Sequence, residues 1–221
     1  MQISLINTGK RYNREWIFRH LDHEFLPGRS YAITGPNGSG KSTLLQVIAG
    51  AVQQSEGEVK YRIPDTGYQI RDNNSHNQGS GIRNPGSDID AYKYISIATP
   101  YLELIEEMTA REFLRFHAVF KDLTISIPSL LSELGLEPAA NKQIRYFSSG
   151  MKQRLKLGQL FFSNSPVLLL DEPTTNLDTD GIALYHQLIN KQAKGKLVIV
   201  SSNDEQEYAF CEEEIRINDY K

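Results

Sequence analysis

The chain has 221 residues and carries 24 lysine and arginine residues against 27 aspartate and glutamate residues, a formal net charge of −3. This length supports one substantial hydrophobic core, and the balanced charge excludes the strongly basic surface that tracks a nucleic-acid backbone. Cys211 is the only cysteine, which excludes an intramolecular disulfide and a zinc site of the usual cysteine spacing, so we expect a reducing compartment.

The first part of the chain is rich in strand patterns and contains one glycine-rich turn. A helix-like stretch begins at about Lys41, directly after that turn. Residues 71–88 are rich in asparagine, glycine and serine, which predicts an exposed, mobile loop. Strand-length apolar patterns occur at 2–7, 15–26, 29–34, 58–63 and 92–98.

Helical and strand patterns alternate in the rest of the chain. The strand patterns lie at 166–173, 196–200 and 214–217, and the first of them is too apolar to alternate, which predicts burial on both faces. Strands joined by crossover helices predict a mostly parallel sheet. The helical patterns lie at 109–121, 126–138, 150–164 and 180–194, and a short helix follows residue 200. The second of these helices is expected to be closed by Gly135 and Pro138.

Residues 35–42 match the phosphate-loop pattern G-x-x-x-x-G-K-[ST], between a strand that ends at Thr34 and a helix. Glycines let backbone N–H groups surround phosphates, and the helix start adds the positive end of its dipole. Lys41 would neutralise phosphate charge, and the Ser42 hydroxyl would ligate Mg²⁺. The alternative, a glycine-rich turn without a ligand, fits the position between a strand and a helix less well. The predicted phosphate-binding residues are Gly35, Pro36, Asn37, Gly38, Ser39, Gly40, Lys41, Ser42 and Thr43.

Asp171 and Glu172 lie at the carboxyl end of the apolar strand pattern, where open α/β sheets bind their ligands. Taken alone, these residues are equally well explained as exposed acids that end a strand. With a phosphate loop earlier in the chain, we predict that Asp171 binds Mg²⁺ and that Glu172 is the general base in hydrolysis of a γ-phosphate.

The order of these motifs resembles the ATP-binding cassette of ABC transporters over nearly the whole chain. GPNGSGKST at 35–43 is similar to the Walker A loop of that family, and FSSGMKQR at 147–154 is similar to its signature motif. LLLDEP at 168–173 is similar to the Walker B strand, and TTNLD at 174–178 is similar to the D-loop.

The resemblance implies a fold of the α/β class, namely a P-loop NTPase core with a mostly parallel sheet, an N-terminal antiparallel β subdomain and a small helical subdomain. The whole chain, 1–221, would be one ATP-binding domain. Its β-rich, nucleotide-binding core would comprise about 1–98 and 160–221, and its helical subdomain with the signature motif would comprise about 99–159.

The resemblance also implies a function, which is binding and hydrolysis of ATP with Mg²⁺ to drive a separate membrane permease. Two cassettes, either identical copies or a pair of different ones, would dimerise head to tail. Ser148 and the backbone near Gly150 of one subunit would then cover the γ-phosphate held by Lys41 of the other, whereas residues 148–150 alone read as an ordinary helix N-cap. Tyr12 corresponds to an aromatic residue that stacks on adenine in the family, although such a tyrosine is as often structural.

The expected location is the cytoplasmic face of the membrane, through the permease. The N-terminus lacks the layout of a signal peptide and no apolar run approaches the roughly 20 residues that cross a bilayer. The permease would contact residues 99–107, which mix aromatic, leucine and acidic side chains, although a solvated surface helix is an equal alternative. No nucleic-acid partner is expected.

Three positions depart from the family pattern. The signature motif reads Ser149-Gly150-Met151 in place of Gly-Gly-Gln, a variant that resembles many exporter cassettes and favours export. Pro100 stands where the family has a glutamine that reaches the metal, and proline has no side-chain amide. Asn203 stands where the family has a histidine that contacts the γ-phosphate, and an asparagine amide donates a hydrogen bond but carries no charge.

These departures leave two functions open. In the first, the protein is the ATPase described above, with Lys41, Glu172 and Asn203 as catalytic residues and with turnover that is slow because a polar contact in the transition state is altered. In the second, ATP closes the dimer of a binding module whose hydrolysis is vestigial. A soluble ABC protein that acts on ribosomes or DNA fits less well, because such proteins resemble paired cassettes or carry long coiled-coil inserts.

Overall fold

The structure, a computed structural model, describes residues 1–63 and 91–221, so the loop predicted at 71–88 lies outside the described residues. The strands are β1 Gln2–Tyr12, β2 Glu15–Phe25, β3 Ser30–Thr34, β4 Glu56–Arg62, β5 Ile95–Ala98, β6 Val167–Asp171, β7 Leu197–Ser201 and β8 Glu213–Arg216. The α-helices are α1 Lys41–Ile48, α2 Ala91–Tyr94, α3 Ala110–Phe120, α4 Ile127–Glu133, α5 Ser149–Phe161, α6 Thr179–Gln192 and α7 Glu205–Tyr208.

The N-terminal part forms an antiparallel sheet of three strands in the order β2-β1-β4. Tyr12 pairs with Glu15, so β1 and β2 are joined by a two-residue turn in which Asn13 has a φ of 54°. Asparagine tolerates this left-handed conformation, which tight hairpins require. The predicted antiparallel β subdomain is thereby confirmed.

The second sheet has the strand order β5-β6-β7-β3-β8, and all of its neighbouring pairs are parallel. This arrangement confirms the predicted α/β class with a mostly parallel sheet. Because the strands are parallel, the chain segments that leave β3, β6 and β7 all emerge at the same edge. The phosphate loop, the acidic pair and the segment containing Asn203 therefore meet at one end of the molecule.

The central strands are buried on both faces, as predicted from the apolar run at 166–173. On β6, Val167 and Leu169 belong to one hydrophobic cluster, which includes the antiparallel sheet and α1. Leu168 and Leu170 belong to a second cluster, which includes residues of α3, α4, α5 and α6. Successive side chains of a strand point to opposite faces, so a strand between two cores has no polar face and no alternating pattern.

Two predicted elements differ from the structure. Residues 92–98 do not form one strand, because Ala91–Tyr94 is helical and β5 begins at Ile95. Residues 126–138 do not form one helix, because Gly135 adopts a φ of 66° after α4 and a short 3₁₀ turn follows at Glu137–Ala139. A left-handed glycine is a common helix terminator, so Gly135 ends the helix as predicted, and Pro138 lies in the 3₁₀ turn beyond it.

Five of the described helices begin after a polar N-cap residue, among them α3 and α5. Thr109 forms a capping box with Glu112 at the start of α3, and Ser148 is the N-cap of α5. Within 1–63 and 91–221, none of the helices combines the length and the apolar character that spanning a bilayer would need.

We expect Gly57→Ala to destabilise the fold more than Gly195→Ala does, as measured by urea denaturation. Both glycines have a similar positive φ, 74° and 75°, so alanine pays a comparable backbone cost of about 1–2 kcal/mol at each. At Gly57 a Cβ would also lie 2.1 Å from the carbonyl oxygen of Asn7, whereas at Gly195 nothing lies within 4 Å. Gly57 lies where the pairing of β1 with β4 shifts register between Ile6 and Gly9. Equal losses in the free energy of unfolding would contradict a steric requirement for glycine at this shift.

Candidate functional site

A cleft of about 370 Å³ lies at the carboxyl edge of the parallel sheet. It brings together most of the predicted phosphate loop with both carboxylates of the predicted acidic pair, although the two motifs are far apart in the chain. The two motifs meet because they follow β3 and β6 of the same sheet. The lining residues are Ile17, Asn37, Gly38, Ser39, Gly40, Lys41, Ser42, Thr43, Pro100, Tyr101, Asp171 and Glu172.

The phosphate loop turns tightly into α1. The Ser39 amide donates to the carbonyl oxygen of Pro36 at 3.0 Å, and Gly40 precedes the first residue of α1 with a φ of 104°. A Cβ on Gly40 would lie 2.2 Å from Cγ2 of Ile17. Glycine is required here, since any side chain would collide with β2 and the backbone conformation is one that other residues avoid.

Lys41 lies inside the loop that precedes it. Its side-chain amine donates to the carbonyl oxygen of Gly35 at 2.8 Å and to that of Pro36 at 3.3 Å. Burial lowers the pKa of Lys41, while the nearby carboxylates of Glu172 and Asp171 oppose that change. Asp171 and Glu172 therefore stabilise the positive charge of the buried Lys41 amine.

Asp171 ends β6 and is 2% exposed. Its Oδ1 is buried and has no hydrogen-bond partner among the described residues. Burial raises the pKa of Asp171, and the Ser42 hydroxyl opposes this rise. An unpaired, buried carboxylate oxygen is costly unless a cation or donor meets it, so the residue fits a magnesium ligand.

The residues of the cleft fit a magnesium site in which protein oxygen atoms, phosphates and water bind the ion together. They do not fit a site made of protein side chains alone. Within the described ranges, no group of three or more histidine, cysteine, aspartate and glutamate side chains is placed to hold a metal ion. Mg²⁺ is commonly held by one or two protein oxygen ligands together with substrate phosphates and water. Ser42 and Asp171 line the cleft beside the phosphate loop and could offer oxygen ligands of this kind.

Glu172 lines the cleft in a strained backbone conformation. Its φ is 42°, which is rare for a residue other than glycine and costs about 1–3 kcal/mol. Its amide donates to the carbonyl oxygen of Ser201 at 2.9 Å, which extends the pairing of β6 with β7 beyond the last residue of β6. Strain of this kind concentrates at functional sites, where it directs a side chain.

Asn203 lies against the phosphate loop. Its side-chain amide nitrogen donates to Oδ1 of Asn37 at 2.6 Å. The segment that follows β7 therefore reaches the predicted phosphate loop, and the contact of Asn203 with a γ-phosphate stays a prediction. The contact with Asn37 has no counterpart in the sequence pattern, since the two residues are 166 positions apart.

Pro100 and Tyr101 line the cleft on the side of the helical segment. A residue that the sequence analysis missed holds this loop: Lys156 of α5 donates from Nζ to the carbonyl oxygen of Pro100 at 2.6 Å and to that of Thr99 at 3.3 Å. Burial lowers the pKa of Lys156, and neighbouring Lys152 adds to the effect. A lysine within the mostly apolar stretch LKLGQLFF was the available signal.

Three predicted binding residues lie away from the cleft of their own chain. Ser148 accepts a hydrogen bond from the Met151 amide at 3.2 Å, and Gly150 packs close to the backbone of Asn176. Tyr12, at the end of β1, is 47% exposed and its ring lies under Nζ of Lys10 at 4.9 Å. Their predicted contacts with nucleotide remain predictions.

The comparisons with known proteins agree with the geometry. Residues 18–175 match the protein family described as ABC transporter. An uncharacterized ABC transporter ATP-binding protein of Bacillus subtilis (strain 168) is 26% identical over 220 residues, which cover 98% of this chain and 92% of that protein. A cytochrome c biogenesis ATP-binding export protein of Agrobacterium fabrum is 27% identical over 209 residues, which cover 92% of this chain and 89% of that protein.

One similar solved structure is the dimeric, post-hydrolysis state of an ATP-binding cassette bound to ADP and Pi. It matches with a TM-score of 0.77 and 25% sequence identity, over 97% of this chain and 94% of that one.

We expect Lys156→Met to accelerate hydrogen exchange at the amide of Leu102, which donates to the same Thr99 carbonyl oxygen at 3.2 Å. Loss of a hydrogen bond worth about 1 kcal/mol corresponds to roughly a fivefold faster local opening. Lys152→Met is the matched control, since Lys152 lies on the same helix but pairs with Glu106. Equal exchange at Leu102 in both variants would show that Lys156 does not hold this loop.

Proposed function

The chain belongs to the ABC transporter family, and we propose that it is the ATP-binding and ATP-hydrolysing subunit of a transporter, acting on a separate membrane permease. One observation carries this proposal: the phosphate loop and the carboxylates of Asp171 and Glu172 line a single cleft. The comparisons support it, since the similar proteins named above are described as an ABC transporter ATP-binding protein and an ATP-binding export protein.

ATP would bind with its phosphates in the loop at 35–43. The backbone N–H groups of this glycine-rich turn and the N-terminus of α1 attract the phosphates, and the amine of Lys41 would leave the carbonyl oxygen atoms of Gly35 and Pro36 for a phosphate oxygen. Tyr12 would stack on the adenine ring, which its exposure permits.

Ser42 and Asp171 are the residues that would hold Mg²⁺. The ion supplies charge neutralisation on the β- and γ-phosphates when it is bound. The unpaired Oδ1 of Asp171 and the adjacent Ser42 hydroxyl support this assignment, because both are oxygen donors of the kind that Mg²⁺ prefers.

Glu172 would act as the general base in hydrolysis. Its carboxylate would accept a proton from the water that attacks the γ-phosphate, while Lys41 stabilises the charge that develops on the phosphoryl oxygens. Asn203 would donate a hydrogen bond to the γ-phosphate, and its position beside Asn37 supports this role.

The active site would be completed by a second cassette, either a copy of this chain or a related one. Ser148 and Gly150 do not line the cleft of their own chain, so they would reach nucleotide only across an interface. The N-terminus of α5, with Ser148 as its N-cap, would then place a second positive helix end over the γ-phosphate. This is the head-to-tail arrangement that the sequence resemblance implies.

The permease would contact the surface near residues 99–107 and would hold the subunit at the cytoplasmic face of the membrane. Tyr101 is 86% exposed and Ile105 is 37% exposed, which is unusual for large apolar side chains and suits a protein interface. The signature variant and the relative described as an export protein both favour export.

The alternative, a binding module that ATP closes without efficient hydrolysis, rests on Asn203 and Pro100. The comparisons do not favour it, since a similar cassette structure represents a state after hydrolysis. Steady-state phosphate release by the purified protein well above background would exclude it.

We expect Glu172→Gln to lower the rate of phosphate release by at least about 10²-fold while the Kd for ATP changes little, because the amide cannot accept the proton. The measurement is steady-state phosphate release together with equilibrium ATP binding. Glu137→Gln is the control, as Glu137 is exposed on the 3₁₀ turn far along the chain from the cleft residues. An unchanged rate in Glu172→Gln would remove Glu172 from the role of general base.

We expect Asn203→His to raise the rate of phosphate release, because an imidazole exchanges a proton near neutral pH and carries positive charge when protonated. Asn203→Ala should lower the rate by on the order of 10²-fold, since it removes one polar contact to the transition state. A rate below wild type for Asn203→His would instead show that the site depends on the amide held by Asn37.

A further inference from the structure

Two buried side chains hold the residues that directly follow Glu172. Gln153 of α5 donates from Nε2 to the carbonyl oxygen of Pro173 at 2.8 Å. Glu207 of α7 accepts a hydrogen bond at Oε1 from the Thr174 amide at 2.7 Å and a second one from the Thr174 hydroxyl. Gln153 and Glu207 are each only 3% exposed, so solvent competes little for these contacts.

The contacts lie where the backbone is strained. Glu172 has a φ of 42°, and strained backbone persists only when the surrounding structure determines it from several directions. On the N-terminal side, the Glu172 amide is held by the carbonyl oxygen of Ser201. On the C-terminal side, Gln153 holds Pro173 and Glu207 holds Thr174, so the backbone of Glu172 is fixed at both ends.

The carboxylate of Glu207 has a feature that stability alone does not explain. Its Oε2 is buried and has no hydrogen-bond partner among the described residues. Burying a half-satisfied carboxylate costs free energy, whereas an apolar side chain of similar size would fill the same space at lower cost. What the carboxylate provides is an oxygen that accepts two hydrogen bonds from Thr174 at once.

The helix that carries Glu207 is itself anchored in the core. The hydroxyl of Tyr185, a fully buried residue of α6, donates to the backbone carbonyl oxygen of Glu207 at 2.6 Å. The acceptor that holds Thr174 is therefore attached to a rigid element, as a positioning contact requires.

We propose that Gln153 and Glu207 are positioning residues, which hold the carboxylate of Glu172 in the place where it acts as the general base. This inference rests on the proposed function, in which Glu172 is the general base. Neither residue is among those that line the cleft, and they act by holding Pro173 and Thr174. One lies on α5, whose N-cap is Ser148, and the other lies on α7, which follows Asn203. Both predicted phosphate-contacting segments are therefore attached to the backbone beside Glu172.

The test compares the Glu207→Ala and Glu207→Gln variants of the full chain, with kcat for phosphate release and the Kd for ATP as readouts. Glu207→Ala removes the acceptor, and a misplacement of about 1 Å in a catalytic group can cost on the order of 10²-fold, so we expect kcat to fall by at least about tenfold with little change in Kd. Glu207→Gln keeps an oxygen acceptor for Thr174 and should retain most of the wild-type kcat.

Two further variants test the same contacts with smaller changes in shape. Gln153→Glu removes the donor to the Pro173 carbonyl oxygen, and Thr174→Val removes the hydroxyl donor to Glu207 but keeps the backbone donor. Both should lower kcat while Kd stays near wild type, with the smaller effect in Thr174→Val. These variants carry the test if Glu207→Ala does not fold.

Parallel measurements on wild type and Glu172→Gln separate this inference from the proposed function. If Glu172→Gln abolishes hydrolysis but folded Glu207→Ala and Gln153→Glu keep the wild-type kcat, the positioning role is wrong and the proposed function stands. If Glu172→Gln leaves hydrolysis unchanged, the proposed function fails and the positioning role fails with it. Equal losses of kcat in Glu207→Ala and Glu207→Gln would also overturn the inference, because the acceptor oxygen would then not matter.

Discussion

The pairing of β6 with β7 is the interaction on which the rest of the structure depends. Both strands are buried on both faces, and their parallel register places Asp171 opposite Ser201. The Glu172 amide continues this register by donating to the Ser201 carbonyl oxygen. The acidic pair and the segment leading to Asn203 therefore have fixed relative positions before any side chain of the site makes a contact.

The two hydrophobic clusters keep that pair of strands rigid. One cluster covers the face towards α1 and the antiparallel sheet, and the other covers the face towards α3, α4, α5 and α6. Close-packed cores of this kind transmit displacement rather than absorbing it. The apolar packing on both faces of the sheet thus holds the polar groups at its edge in place. Lys41 and Asp171 are therefore buried in a rigid part of the structure.

The sequence predicted the parts of the fold that depend on local pattern. The phosphate loop, the buried strand β6 and the N-cap Ser148 were predicted because glycine conformation, apolar runs and helix capping act over a few residues. The separate helix α2 was missed, since the tyrosine-rich segment before Ile95 is as compatible with a strand as with a helix. The contacts of Lys156 and Glu207 were missed for another reason: their partners lie 56 and 33 positions away, and the backbone groups among these partners leave no trace in residue types.

Helix α5 connects the two halves of the proposed mechanism. Its first turn carries Ser148, which would contact nucleotide on another subunit, while Gln153 and Lys156 contact the loops of its own cleft. Gln153 holds Pro173 beside Glu172, and Lys156 holds the Pro100 loop on the side where the permease would bind. A shift of this one helix must therefore disturb both loops, because a rigid helix moves its donors together. In a head-to-tail dimer, closure of α5 over the nucleotide of one subunit would thus displace both loops in the cleft of the subunit that supplies the helix. The two sites would then be coupled without any contact between the two nucleotides.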